Sequence, residues 1–142
     1  MCGICGVVSL SNSSGDKFIP VVEKMSNAMK HRGPDDSKIE VIGNACFGHR
    51  RLSILDTSSN GRQPFLSNDS SVCMIANGEI YNYQSLRAQL KEQGSTFKSQ
   101  SDSEVILQGY IMHGASYVEK LRGMFAYAIH CLLYTSPSPR DS

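Results

Sequence analysis

The residues best suited to chemistry in this 142-residue chain begin at its second position. In "MCGICGVVSL" a cysteine stands directly behind the initiator methionine, so removal of Met1 would put a thiol and a free α-amine on one residue, Cys2. A thiol of pKa ~8.5 beside an amine of ~7.7–8.0 leaves neutral amine at neutral pH to take the thiol proton, and no histidine partner is required. The plain alternative is a packed cysteine. The C-x-x-C spacing of Cys2 and Cys5 raises a third reading, a redox pair or half of a zinc site. No second C-x-x-C accompanies it, and zinc would have to draw on the scattered Cys46, Cys73 and His49.

Four further stretches could hold or activate a substrate. In "GHRRLSILD" two consecutive arginines on a strand, Arg50 and Arg51, point to opposite faces, and a buried one needs an anion. A substrate carboxylate would meet that need through two parallel hydrogen bonds, and so would an internal salt bridge. "ANGEIYN" reads as a turn, or as an oxyanion hole in which the Asn77 side-chain amide and the Gly78 backbone N–H aim at one point, with the Glu79 anion nearby. In "SQSDSEVIL" Asp102 precedes an apolar-periodic helix and suits an N-cap, or a carboxylate that holds an ammonium group. "HRGPDD" reads as a tight turn at a helix end, and Arg32 could line a pocket there.

These side chains need elements to position them. Residues 2–10 suit a strand buried on both faces, and Val21, Val22, Met25, Ala28 and Met29 predict a helix over about 20–31, stopped by Gly33-Pro34. "KIEVIG", "ACFGHRRLSIL" and "SVCMIAN" predict three strands forming an antiparallel set. "YQSLRAQLKEQG" and "SEVILQGYIMHG" predict helices closed by Gly94 and Gly114, followed by a short helix at 116–122 and a strand at "MFAYAI". "CLLYTSPSPRDS" has neither period, and its Pro137 and Pro139 predict an extended or disordered tail. It reads as a non-native replacement for a lost continuation, or as a genuine flexible terminus. No internal repeat is visible.

The totals bound the class. A chain of this length suits one domain. With 40% hydrophobic and 19% charged residues it suits a water-exposed globule, and its +1 charge gives no general attraction toward nucleic acid or an anionic membrane. No apolar run approaches the ~20 residues of a membrane helix, and no signal-peptide pattern appears. Five cysteines, an odd number, fit a reducing compartment, so a cytoplasmic location is expected.

Taken in order, "MCGICGV", "HRGPDD", "RRLSILD", "NGEIYN", "SDSEVIL" and "LRGMFAYAI" resemble the class II glutamine amidotransferase domain, most closely the amino-terminal part of glutamine-hydrolysing asparagine synthetase. The resemblance implies an α+β N-terminal nucleophile hydrolase fold, a four-layer αββα sandwich of antiparallel sheets, incomplete at its C-terminal end. It covers residues 2–130 as a partial domain and leaves 131–142 as the tail. It makes Cys2 the nucleophile with its own α-amine as base, and Asn77 and Gly78 the oxyanion donors. Arg51 becomes the ligand for the α-carboxylate of glutamine, Asp102 the ligand for the α-ammonium, and Glu79 a wall of the same pocket. Backbone carbonyls around Leu52 and Ile54 would orient the amine, and Arg50 would lie on the sheet's other face. The implied reaction is glutamine hydrolysis to glutamate and ammonia through a γ-glutamyl thioester. No metal or cofactor is implied for this chain. A missing synthetase domain would use ATP and Mg2+ to activate aspartate, and a homodimer is open for the intact enzyme. Two alternatives stand beside this: a glutaminase domain serving an amidophosphoribosyl or sugar-phosphate product, and a non-catalytic C-x-x-C metal-binding module. Truncation would leave the "MFAYAI" strand without its neighbour, so the isolated chain is expected to be poorly stable or inactive although every named site residue is present.

Overall fold

The structure, a computed structural model, describes residues 2–11, 13–34, 36–51 and 61–132. In chain order the elements are β1 (Gly3–Val8), a 3-10 turn (Gly15–Phe18), α1 (Ile19–Ala28), β2 (Asp36–Ile42), β3 (Ala45–Arg51), β4 (Phe65–Leu66), β5 (Val72–Ile80), α2 (Tyr83–Glu92), α3 (Glu104–His113), a second 3-10 turn (Ala115–Lys120) and β6 (Gly123–Cys131). The strands form two antiparallel three-stranded sheets, ordered β1-β3-β2 and β4-β5-β6.

Four layers follow from where the apolar faces go. Pro20 presets the first turn of α1, and Val22 and Ser26, one helical turn apart, are buried against the first sheet. Between the sheets lie Ile42, Ala45, Phe47, Cys73 and Ile75. The opposite face of β5 supplies Met74, Ala76 and Ile80, which meet Leu86 and Leu90 of α2 and Val105, Ile106 and Leu107 of α3. Alternation along β5 therefore feeds two cores at once: odd-numbered residues face the first sheet, even-numbered ones the helices. This is the αββα layering, an α+β fold.

The sequence-based expectations need adjustment in several places. The three strands expected to form one antiparallel set are divided, β2 and β3 joining β1 while β5 belongs to the second sheet. Alternation reports which face a residue occupies, not which strand lies beside it. β5 runs unbroken through Asn77-Gly78, so no turn forms there; nine residues of pairing with β6 outweigh the local Asn-Gly preference. α1 ends at Ala28, and the segment 116–122 forms a 3-10 turn over Ala115–Lys120 instead of an α-helix. β6 extends through Cys131, into the segment assigned to the tail, and residues 133–142 lie outside the described residues. Among the described residues nothing pairs with the outer edge of β6.

Candidate active site

Cys2 is half-buried and directly precedes β1. Gly3 sits opposite Arg50 in the ladder, so one further step sets Cys2 beside Arg51 at the end of the first sheet. By alternation Cys2 shares a face with Ile4, and Arg51 with His49, the side that looks toward the second sheet. Cys5 faces the other way, its Sγ 3.7 Å from the Gly48 carbonyl oxygen and 3.9 Å from that of Val22, and burial pushes its thiol up. Residues three apart on a strand point to opposite faces and lie ~10 Å apart along it. That geometry overturns Cys2 and Cys5 as a chelating or redox pair. Nor do Cys46, Cys73 and His49 gather: among the described residues no group of three or more His, Cys, Asp or Glu side chains could hold a metal ion.

The two adjacent arginines separate by face. Arg50 turns toward α1, where Nε donates to the Ser26 carbonyl at 2.8 Å and Nη2 to Asn27 Oδ1 at 3.0 Å. It caps the helix's last carbonyls, an interaction a cation favours. Arg51 is buried on the inter-sheet side. The "HRGPDD" loop packs on this strand end, with Pro34 bridging to Arg51. A Cβ on Gly33 would come within 2.4 Å of the Arg50 backbone carbon, so only glycine allows that approach. Arg32 is exposed.

His49 joins this strand end to the second sheet. Its Nε2 lies 3.1 Å from the Ala76 carbonyl oxygen, an acceptor, so Nε2 carries the proton. Burial, reinforced by the Arg51 charge, lowers its pKa to about 4 against the opposing pull of the Ala76 carbonyl, so the ring is neutral at pH 7. The Ala76 N–H donates to Gln63 Oε1 at 2.7 Å. β4 covers β5 only at Cys73 and Met74, and beyond it these two side chains stand in for a strand.

The next two residues of β5 carry the expected oxyanion donors. Asn77 faces the first sheet, and its Oδ1 is buried without a hydrogen-bond partner among the described residues. An orphaned buried polar atom costs ~1–3 kcal/mol. Gly78 has φ +125°, and a Cβ there would lie 2.0 Å from the Met124 carbonyl oxygen. Ala76 and Ile80 direct their N–H groups to the edge away from β6, and ladder alternation gives the Gly78 N–H the same direction.

Asp102 does not cap α3. The N-cap is Ser103, and Asp102 Oδ2 instead accepts the Ile80 N–H at 2.8 Å, on the same edge of β5. Burial pushes its pKa up, as does the nearby Glu79 charge, while backbone N–H bonds from Ile80 and Ser103 pull it down. Glu79 is exposed and shares the Asn77 face. Cys2 with Arg51 on one sheet, and Asn77, Gly78, Glu79 and Asp102 along one end of β5, are thus two sets joined by the His49–Ala76 bond. Leu52 and Ile54 lie outside the described residues.

A cation, a pair of amide donors, an anion and a thiol suit a zwitterionic amino acid with a reactive side-chain amide. Residues 1–133 match the family model of the glutamine amidotransferase domain. The chain belongs to that family. It is 42% identical over 130 residues to asparagine synthetase [glutamine-hydrolyzing] 2 of Bacillus subtilis (strain 168), covering 91% of this chain and 17% of that protein. It is 41% identical over 129 residues to asparagine synthetase [glutamine-hydrolyzing] of Sandersonia aurantiaca, covering 91% and 24% respectively. The amidotransferase domain here therefore spans about a fifth of the length of these relatives. Among solved structures it is similar to the glutamine phosphoribosylpyrophosphate amidotransferase of B. subtilis, with a TM-score of 0.54 and 28% identity over 65% of this chain and 22% of that one. The fold is that of the N-terminal nucleophile amidotransferases.

Two residues beside the site had no role toward glutamine assigned in the sequence, where His49 figured only as a scattered zinc ligand. His49 stands two positions before Arg51, so alternation alone puts both on one face, and that signal was available. Gln63, in "GRQPFL", offered none, because its function depends on where β4 stops.

Proposed function

We propose that this amidotransferase domain hydrolyses the side-chain amide of glutamine, with Cys2 as nucleophile once Met1 is removed. The α-amine of Cys2 takes the thiol proton and the sulfur attacks the amide carbon. Asn77 and Gly78 receive the oxyanion, and the same amine returns its proton to the leaving nitrogen as ammonia. Water then cleaves the γ-glutamyl thioester to give glutamate. Arg51 binds the α-carboxylate and Asp102 the α-ammonium, with Glu79 beside it, so the substrate's two charges fix which end meets the sulfur.

The observation that carries this reading is the Gly78 N–H, directed to the same edge of β5 as the amides held by Gln63 and Asp102 and next to the Asn77 side chain, where the described residues give it no strand partner. The ammonia acceptor is read from the relatives: identity of 41–42% to asparagine synthetases exceeds the 28% to the phosphoribosylpyrophosphate amidotransferase. Ammonia would therefore pass to a synthetase domain that uses ATP and Mg2+ on aspartate, in the part of those proteins beyond this chain. Incubation with 15N-amide-labelled glutamine tests the reaction, in this chain and in its extension to the length of its relatives. Labelled ammonium above the Cys2→Ala background is expected. None from either form would sink the proposal.

A further inference from the structure

The reaction above leaves Glu104 unused, yet it is 1% exposed and a charged side chain is not buried without cause. Its Oε1 accepts the Ser99 N–H at 2.8 Å and the Ser99 hydroxyl at 2.6 Å, and its Oε2 accepts the Lys98 N–H at 3.0 Å. Gln108 Nε2 stands 3.4 Å from Oε2, one turn along α3. The same loop is held from outside by Arg87, whose Nη1 donates to the Ser99 carbonyl at 2.8 Å while its guanidinium lies 4.6 Å from the Phe97 ring centre. Ser99 Oγ in turn accepts the Ser101 N–H at 3.2 Å, and Ser101 Oγ accepts the Ser103 N–H at 3.2 Å. Asp102 lies between those last two residues. Across the fold, its carboxylate accepts the Ile80 N–H at 2.8 Å.

We infer that Glu104 is the positioning residue for Asp102: it gathers the Lys98 and Ser99 N–H groups into one fold of the loop and so sets where the Asp102 carboxylate stands against β5. Resting on the proposed function, that fixes the point at which the α-ammonium of glutamine is held. A carboxylate is required because both of its oxygens face donors. Glutamine at 104 would turn an NH2 group on Ser99 or on Lys98, opposing donor to donor.

Two measurements on the full chain test this. The first is hydrogen exchange at the Ile80 and Ala76 amides in Glu104→Gln and in the milder Ser99→Ala. Loss of the bond to Asp102 should cut Ile80 protection about 10- to 100-fold in Glu104→Gln and less in Ser99→Ala, with Ala76, held by Gln63, unchanged. Unchanged Ile80 protection, or an equal fall at both amides, would show a merely structural carboxylate and overturn the inference. The second, in whichever form hydrolyses glutamine, compares glutamine with 4-carbamoylbutanoate, which lacks the α-ammonium. Glu104→Gln should raise KM for glutamine about 10-fold with kcat kept, and leave the analogue's kcat/KM in place. Equal losses on both compounds would also overturn it. A wild-type protein that hydrolyses neither would defeat the glutaminase reading alone, since the exchange measurement still decides where Asp102 stands.

Discussion

Acid should weaken this fold through one imidazole. His49 takes a proton near pH 6.5 when the chain is unfolded, but only near 4 when buried against Ala76 and Arg51. Between those values the unfolded state binds more protons, so stability falls as the pH drops through 6.5 toward 4 and is fully present above 6.5. At about 1.36 kcal/mol for each pH interval the full loss is about 3 kcal/mol, with about 2 kcal/mol of it gone by pH 5. The perturbation that isolates it is His49→Gln, which supplies an N–H toward Ala76 but cannot titrate. The Asp102, His130 and Asp69 contributions are common to both proteins and cancel in the difference. Asp69, held at about 2 by the Ser71 and Ser67 hydroxyls, titrates below the window in any case. Urea unfolding followed by circular dichroism at pH 7.5 and pH 5 is the assay. The wild-type midpoint should drop relative to the variant's by about 1 M across that interval, given a slope of ~2 kcal/mol per molar. Parallel movement of the two midpoints would refute the assignment of a buried, neutral His49.

Other substitutions separate the site from its scaffold. Asn77→Ala should lower kcat for glutamine about 10²–10³-fold without weakening the fold, measured by ammonia release beside a thermal melt. Arg50→Met should destabilise the protein by about 1–3 kcal/mol through its lost bonds to Ser26 and Asn27 while leaving KM unchanged, whereas Arg51→Met should raise KM at least 10-fold; chemical denaturation and steady-state kinetics check the pair. Gly78→Ala should fail to give a folded protein at 37 °C, because the added carbon meets the Met124 carbonyl at 2.0 Å; soluble yield and circular dichroism report it.

Local pattern carried the sequence reading furthest where a single element decides the answer. Leu86 and Leu90 one turn apart, with Gly94 behind them, were enough for α2, and Gly114 marked the end of α3. The two arginines were divided by face from strand geometry alone, and Arg50 does turn to α1. What the sequence hid depends on distant partners. Asp102 looks like an N-cap because the residue that claims its carboxylate, Ile80, is 22 positions away. Asn77-Gly78 looks like a turn because its pairing with Ala126 and Phe125 lies nearly fifty residues on. Cys2 and Cys5 look like a chelating pair until β1 sends them to opposite sides. The roles proposed for Cys2, Arg51 and Asp102 rest on the order of several short blocks, none of which was decisive by itself.

The shortness of β4 carries a lesson for anyone who would stabilise this protein. A two-residue strand is a poor partner, and extending it back to Gly61 to zip four more rungs onto its neighbour is an obvious engineering target. The last of those rungs, Gly61 against Gly78, would claim the Gly78 amide, which lies between the amides held by Gln63 and Asp102. A tougher molecule would thereby be a sealed one, so thermal resistance gained on this flank and turnover should trade against each other.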